Sequence, residues 1–185
     1  MIEKKDHNGE WSPEEIKAME SLMTKNETGL LRYATRILND PVAAQDVVQD
    51  AFIKLFRRWR SGKPQPAKVS SWLYRVTHNN AVDYIRRESR LRDLHQKNKE
   101  EECAQESTAP HGDLSNDEKM KMVLEQIDIL KPQEKQVLIL RLQEGKSYRE
   151  IAEITERSEG NVGCILHHAV HKLSNSLRES GALKR

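Results

Sequence analysis

Ser70-Ser71-Trp72-Leu73-Tyr74-Arg75-Val76-Thr77-His78-Asn79-Asn80-Ala81-Val82-Asp83-Tyr84-Ile85-Arg86-Arg87 spaces its apolar residues with the period of a helix, not of a strand. At about 100° per residue, Leu73, Val76, Thr77 and Tyr84 fall on one side, whereas Trp72, Arg75, Asn79, Asp83 and Arg86 share an arc of roughly 80° on another. That second face combines an aromatic ring, an amide and guanidinium groups, the mixture needed to stack on bases, read their edges and hold phosphates. A Trp72 half-buried against a neighbouring helix, beside solvated arginines, fits the same pattern.

The charge around this stretch narrows the choice. The net charge of +2 over 185 residues conceals a division along the chain. Lys54 to Arg92 holds eleven Lys or Arg against Asp83 and Glu88, a net +9, whereas Lys97 to Glu118 holds two Lys against seven Asp or Glu, a net −5. A basic block of that density suits a polyanion, and an acidic, Pro- and Gly-containing stretch after it reads as a self-repelling linker. With 32% charged, 36% hydrophobic and 5% aromatic residues, surface is large relative to core, so two small helical domains are expected. Cys103 and Cys164 show no paired spacing and no secretory signal is expected ahead of them, which points to a reduced, cytoplasmic setting. Nothing approaches eighteen consecutive apolar residues, so no membrane span is expected.

Outward from the basic block, the chain reads as all-α, with no strand pattern. Residues 1–11 are polar and expected to be flexible. Ser12-Pro13-Glu14-Glu15 is a capping box with proline at the first helical position, opening a helix to about Lys25. A second apolar segment, Leu30 to Leu38, ends at Asn39-Asp40-Pro41, which starts a helix to about Trp59. Val47, Val48, Ala51, Phe52 and Leu55 form its buried stripe, and Asp46, Gln49, Asp50, Ile53 and Arg57 share the other face. An aliphatic group ringed by carboxylates and an amide resembles a protein-docking surface. Ser61 to Pro66 is a loop, the next helix runs to about Arg92, and residues 97–115 are the linker.

The second domain should begin with a capping box at Ser115-Asn116-Asp117-Glu118 and a helix through Met122, Val123, Ile127 and Leu130. Pro132 opens a short, mostly buried helix that Gly145 ends. Ser147-Tyr148-Arg149-Glu150 is a third capping box, and the link Glu156-Arg157-Ser158 leads to a last amphipathic helix with Val162, Leu166, Ala169, Leu173 and Leu177. A helix of about eight residues, a tight turn and a longer helix make a helix-turn-helix pattern, whose second helix would enter the major groove.

Three runs carry a family resemblance: Asp40-Pro41 with Ala44 to Phe52; Ser71-Trp72-Leu73, Asn79 and Ala81 to Arg87; and Leu130-Lys131-Pro132 with Val137 to Arg141 and Gly145 to Ala152. In that order and at that spacing the chain resembles an extracytoplasmic-function sigma factor of bacterial RNA polymerase, over about residues 28–92 and 120–178. The resemblance implies a two-domain initiation factor that is not an enzyme and needs no cofactor. Residues 12–96 would bind core RNA polymerase through the clamp helices of its largest subunit and open the −10 promoter DNA. Residues 116–185 would read the −35 element, and an anti-sigma factor would be a further partner. The polymerase-binding residues would be Asp46, Gln49, Asp50 and Ile53, with Phe52 shaping the surface from the buried side. The −10 set would be Trp72, Arg75, His78, Asn79, Arg86 and Arg87, with Asp83 orienting an arginine or a loop. The −35 set would be Ser158, Glu159, Gly160, Asn161, Gly163, Cys164, His167 and His168.

The last helix departs from the family pattern. Val162-Gly163-Cys164-Ile165 stands where Val-Lys-Ser-Arg is usual, and His168 and Val170 stand where arginines are common. Only Lys172 and Arg178 are basic between Ser158 and Arg178, so weaker or differently targeted −35 binding is expected. His167 and His171 have the i, i+4 spacing of a metal pair, but without a further ligand motif no metal is expected. No nucleophile–base pair or phosphate-binding glycine loop suggests catalysis. The alternatives are a stand-alone helix-turn-helix regulator, which should carry a dimerisation element, or a sigma-like interaction module with weakened DNA binding.

Overall fold

The computed structural model describes residues 12–61, 68–96 and 126–179, with backbone alone for residues 92–96. Every regular element among them is helical: α1 (Pro13–Leu38), α2 (Pro41–Arg60), α3 (Val69–Gln96), a 3-10 turn (Gln126–Ile129), α4 (Pro132–Leu142), α5 (Tyr148–Thr155) and α6 (Glu159–Glu179). The chain divides into two compact units, residues 1–81 and 82–185, and α3 runs through the division. Expectations for residues 1–11, the loop from 62 to 66, the linker 97–115, and the capping box and helix start between 115 and 125 lie outside the described residues.

In the first unit, Ser12 Oγ accepts from Glu15 N at 3.1 Å while Glu15 Oε2 accepts from Ser12 N at 3.0 Å, the reciprocal box expected from the sequence. The helix it opens does not stop near Lys25; α1 continues unbroken to Leu38. The polar residues that read as an end are satisfied on the helix itself: Thr24 Oγ1 donates to Glu20 O at 2.9 Å and Asn26 Nδ2 to Leu22 O at 2.7 Å. With no proline there, burial of Met19 and Leu30 on either side offsets the roughly 1 kcal/mol cost of Gly29 in a helix interior. Asn39, in the left-handed region at φ 54°, closes α1, and Asp40 Oδ1 accepts from Val42 N and Ala43 N to open α2. A two-residue connection folds α2 back along α1. Leu30, Tyr33, Ala44, Ala51, Leu55, Leu73 and Ala81 are fully buried.

In the second unit, α4 is the hub, with Val137, Leu138, Ile139 and Leu140 buried. The segment before it does not continue as the helix through Leu130 that the sequence predicts: Gln126–Ile129 is a 3-10 turn, closed by Leu130 N donating to Ile127 O at 3.1 Å. Pro132 forces Lys131 into extended backbone, φ −62° and ψ 151°, so an α-helix cannot pass through it. Gly145, at φ 62°, makes the turn after α4, and the Ser147–Glu150 box opens α5. Glu156, at φ 55°, closes α5, and Ser158 Oγ accepts from Asn161 N at 3.2 Å to cap α6. α6 packs across α4, α5 and the 3-10 turn through Val162, Leu166, Ala169, Leu173 and Leu177.

Candidate nucleic-acid interface

On α2, Asp46, Gln49, Asp50, Ile53 and Arg57 are all exposed within an arc of about 100°, opposite the buried stripe that holds Phe52. Ile53 keeps 37% of its surface accessible, and Val42, which the sequence reading passed over, lies on the same arc at 69%. The two aliphatic groups stand about 16 Å apart along the helix, with the carboxylates between them. Counting Val42 into the period from Asp46 would have found it.

On α3, Arg75, Asn79, Asp83, Arg86 and Arg87 are exposed, and Trp72 is half-buried at the margin. Arg86 Nη1 lies 3.6 Å from Asp83 Oδ1, so the acidic residue on this basic face is held by its neighbour one turn on. His78 is not on the surface as expected. It is 6% exposed, and its Nδ1 lies 2.8 Å from the phenol oxygen of Tyr33. The helical period explains the correction: His78 lies about 100° from Asn79 but only about 40° from Tyr74 and 60° from Ala81, both buried, on the side facing the core. Asn80, absent from the sequence-predicted set, ties α3 to α2: its Nδ2 donates to Val47 O at 3.2 Å and its Oδ1 accepts from Lys54 Nζ. This fixes the rotation of α3 against α2 at that turn. No periodicity signals it, because the partner is a backbone carbonyl of another helix.

On α6, Ser158, Glu159, Gly160, Asn161, Cys164, His167 and His168 are exposed, and Gly163 is partly covered. A Cβ on Gly163 would stand 3.8 Å from Tyr148, an ordinary contact. The scarcity of positive charge is deeper than the sequence implies. Lys172 Nζ donates to both carboxylate oxygens of Glu134, at 2.8 Å each. Burial tends to raise the Glu134 carboxyl, but hydrogen bonds from Lys172 and the Lys131 N–H, with both lysine charges, outweigh it and hold it below the usual carboxylate value. Elsewhere in this unit Arg149 pairs with Glu153, Lys135 with Asp128, and Arg141 donates to Lys146 O while lying over the Tyr148 ring. Among the described residues, no group of three or more His, Cys, Asp or Glu is arranged to hold a metal ion, and no helix is long and apolar enough to cross a membrane.

Comparison with known proteins matches Sigma-70 region 2 to residues 22–91 and Sigma-70, region 4 to residues 120–173. The chain is 30% identical over 156 residues to the ECF RNA polymerase sigma-E factor of Haemophilus influenzae, covering 80% of this chain and 79% of the relative. It is 28% identical over 163 residues to the RNA polymerase sigma-E factor of Streptomyces avermitilis, covering 88% and 87%. Its fold is similar to that of the sigma factor RpoE of Bartonella quintana, solved in complex with the anti-sigma factor NepR, with a TM-score of 0.67 at 19% identity over 88% of this chain and 98% of the other.

Proposed function

Since the chain belongs to the extracytoplasmic-function sigma factors of RNA polymerase, we propose that its helical faces divide promoter recognition among them. In this reading residues 12–96 dock on core polymerase and open the −10 DNA, residues 116–185 bind the −35 duplex, and residues 97–115 link them. The α2 face of Asp46, Gln49, Asp50, Ile53 and Val42 meets the polymerase: carboxylates set orientation and exclude wrong partners, and the aliphatic groups supply buried area. The α3 face holds the opened strand. Arg75, Arg86 and Arg87 neutralise phosphates, Asn79 meets an unstacked base, and Trp72 borders the path.

The observation that carries the reading is the coexistence of two exposed faces of opposite character on α2 and α3, joined by Asn80. A solvated helix needs no isoleucine among carboxylates, and a packed one does not leave Arg75, Asn79 and Arg86 outside. The protein acts where polymerase and chromosome are, in the cytoplasm. Since the similar fold of known structure holds an anti-sigma factor, an equivalent partner is part of the proposal.

The test supplies core polymerase and fragments of the native genome and maps transcript starts. Initiation at defined sites that depends on this protein is the expected result, abolished by Ile53→Arg through loss of core binding. Core binding without initiation, or no core binding, overturns the proposal.

A further inference from the structure

The second helix of a helix-turn-helix reads base edges with its N-terminal residues. The exposed residues there are Glu159, Gly160, Asn161 and Cys164, followed by His167 and His168. Their chemistry and placement separate them. Ser158 spends its hydroxyl on the N–H of Asn161. Gly160 offers no side chain, and an added Cβ there would meet nothing within 4 Å. Cys164 lies at the middle of the exposed arc with only a weak donor. Glu159 is turned about 140° from Cys164, towards the flank of the helix, whereas Asn161 is turned only about 60°.

The amide of Asn161 is also uncommitted. Asn26, Asn80 and Asn175 direct their side-chain amides to Leu22 O, Val47 O and His171 Nδ1, but the Asn161 side chain makes no hydrogen bond within the described residues. Beside it, Gly160 and Cys164 present so little bulk that the helix can lie close to the floor of a groove. The side chains that read guanine through two donors are missing: no Arg or Lys stands on the exposed arc before Arg178, because Lys172 is held by Glu134.

We propose that Asn161 is the specificity-determining residue of α6, its Oδ1 accepting from N6–H and its Nδ2 donating to N7 of one adenine in the −35 duplex. The proposal rests on the sigma-factor reading above and adds the base that α6 selects. Gly160 and Cys164 set the depth of the helix, and His167 and His171, one to two turns on, line the phosphate side. The −35 element of this protein is thus selected at an A·T pair and not at a G·C pair read by arginine.

The experiment assembles full-length protein with core polymerase and selects templates that initiate from a library randomised across the −35 region, with a native −10 region retained. The wild type should enrich adenine strongly at one position, and Asn161→Ala should relax that position by about tenfold or more while leaving the others unchanged. His167→Ala should weaken all templates by a similar factor without altering preference. The cap survives Asn161→Ala because the Ser158 contact uses backbone N–H, and a melting curve verifies this. Identical preferences in wild type and Asn161→Ala, or initiation with no −35 preference, overturn the assignment while leaving the sigma reading intact. No initiation from any template overturns both.

Discussion

The phenol oxygen of Tyr33 on α1 and Nδ1 of His78 on α3 lie 2.8 Å apart in the core of the first unit, where Tyr74 also meets the Tyr33 ring edge-on at 5.8 Å between centroids. His78 is thereby an internal tie beneath the exposed basic side of α3. Tyr33→Phe should lower stability by about 1–2 kcal/mol in denaturant unfolding, because a buried ring nitrogen loses its partner. Binding of a −10 single strand by the folded variant should change little. A large loss of strand affinity at unchanged stability would show that His78 contacts DNA.

Thr77, one residue earlier, is fully buried and its Oγ1 has no hydrogen-bond partner among the described residues. Replacing it with valine keeps the β-branched shape and removes an unsatisfied hydroxyl. The expected outcome is a stability gain of up to about 1 kcal/mol, seen as a higher unfolding midpoint with unchanged slope. Destabilisation would mean the hydroxyl is satisfied in solution.

Glu134 and Lys172 clasp α4 to α6. The Glu134 carboxyl is held below its ordinary value of 4.5, so its contribution is complete above that value and is lost as pH falls through the depressed one. Glu134→Gln should cost about 1 kcal/mol at neutral pH, Lys172 being partly exposed, and should flatten the acid limb of the stability–pH profile. Equal acid sensitivity in both proteins would rule the clasp out as its source.

Asp83 restrains Arg86 at 3.6 Å on an otherwise basic face. Asp83→Asn should remove that restraint and a repelling charge. Affinity for a −10 single strand should rise about two- to fivefold at low salt, an advantage that shrinks as salt is raised. A loss of affinity would instead place Asp83 in a required contact.

Gly163→Lys with Ile165→Arg restores the positive charges that α6 lacks, and the Gly163 site has room for a side chain next to Tyr148. Duplex binding should tighten and its salt dependence steepen by up to one released counterion for each new phosphate contact. No tightening even at low salt would show that charge scarcity does not limit this helix.

Local chemistry made much of the molecule legible before any coordinates. Ser12, Asp40 and Ser147 mark helix starts because a short polar side chain reaches the free N–H groups of its own first turn. The exposed arcs of α2 and α3 followed from the period of 3.6, since the helix is rigid and one buried residue sets the orientation of the rest. Order along the chain also carried the family, through motifs whose spacing survives in linear form.

Tertiary structure decided what depended on partners far apart in sequence. The buried place of His78 rests on Tyr33, 45 residues away; the role of Asn80 rests on Val47, 33 away; and the engagement of Lys172 rests on Glu134, 38 away. The length of α1 was decided in the same way, because burial on both sides of Gly29 outweighed the local preference for a break. A sequence states which groups can form a hydrogen bond or carry a charge. Only packing brings a second group within hydrogen-bonding distance, and that proximity determines whether an amide, an imidazole or an ammonium is spent inside or left free for a ligand.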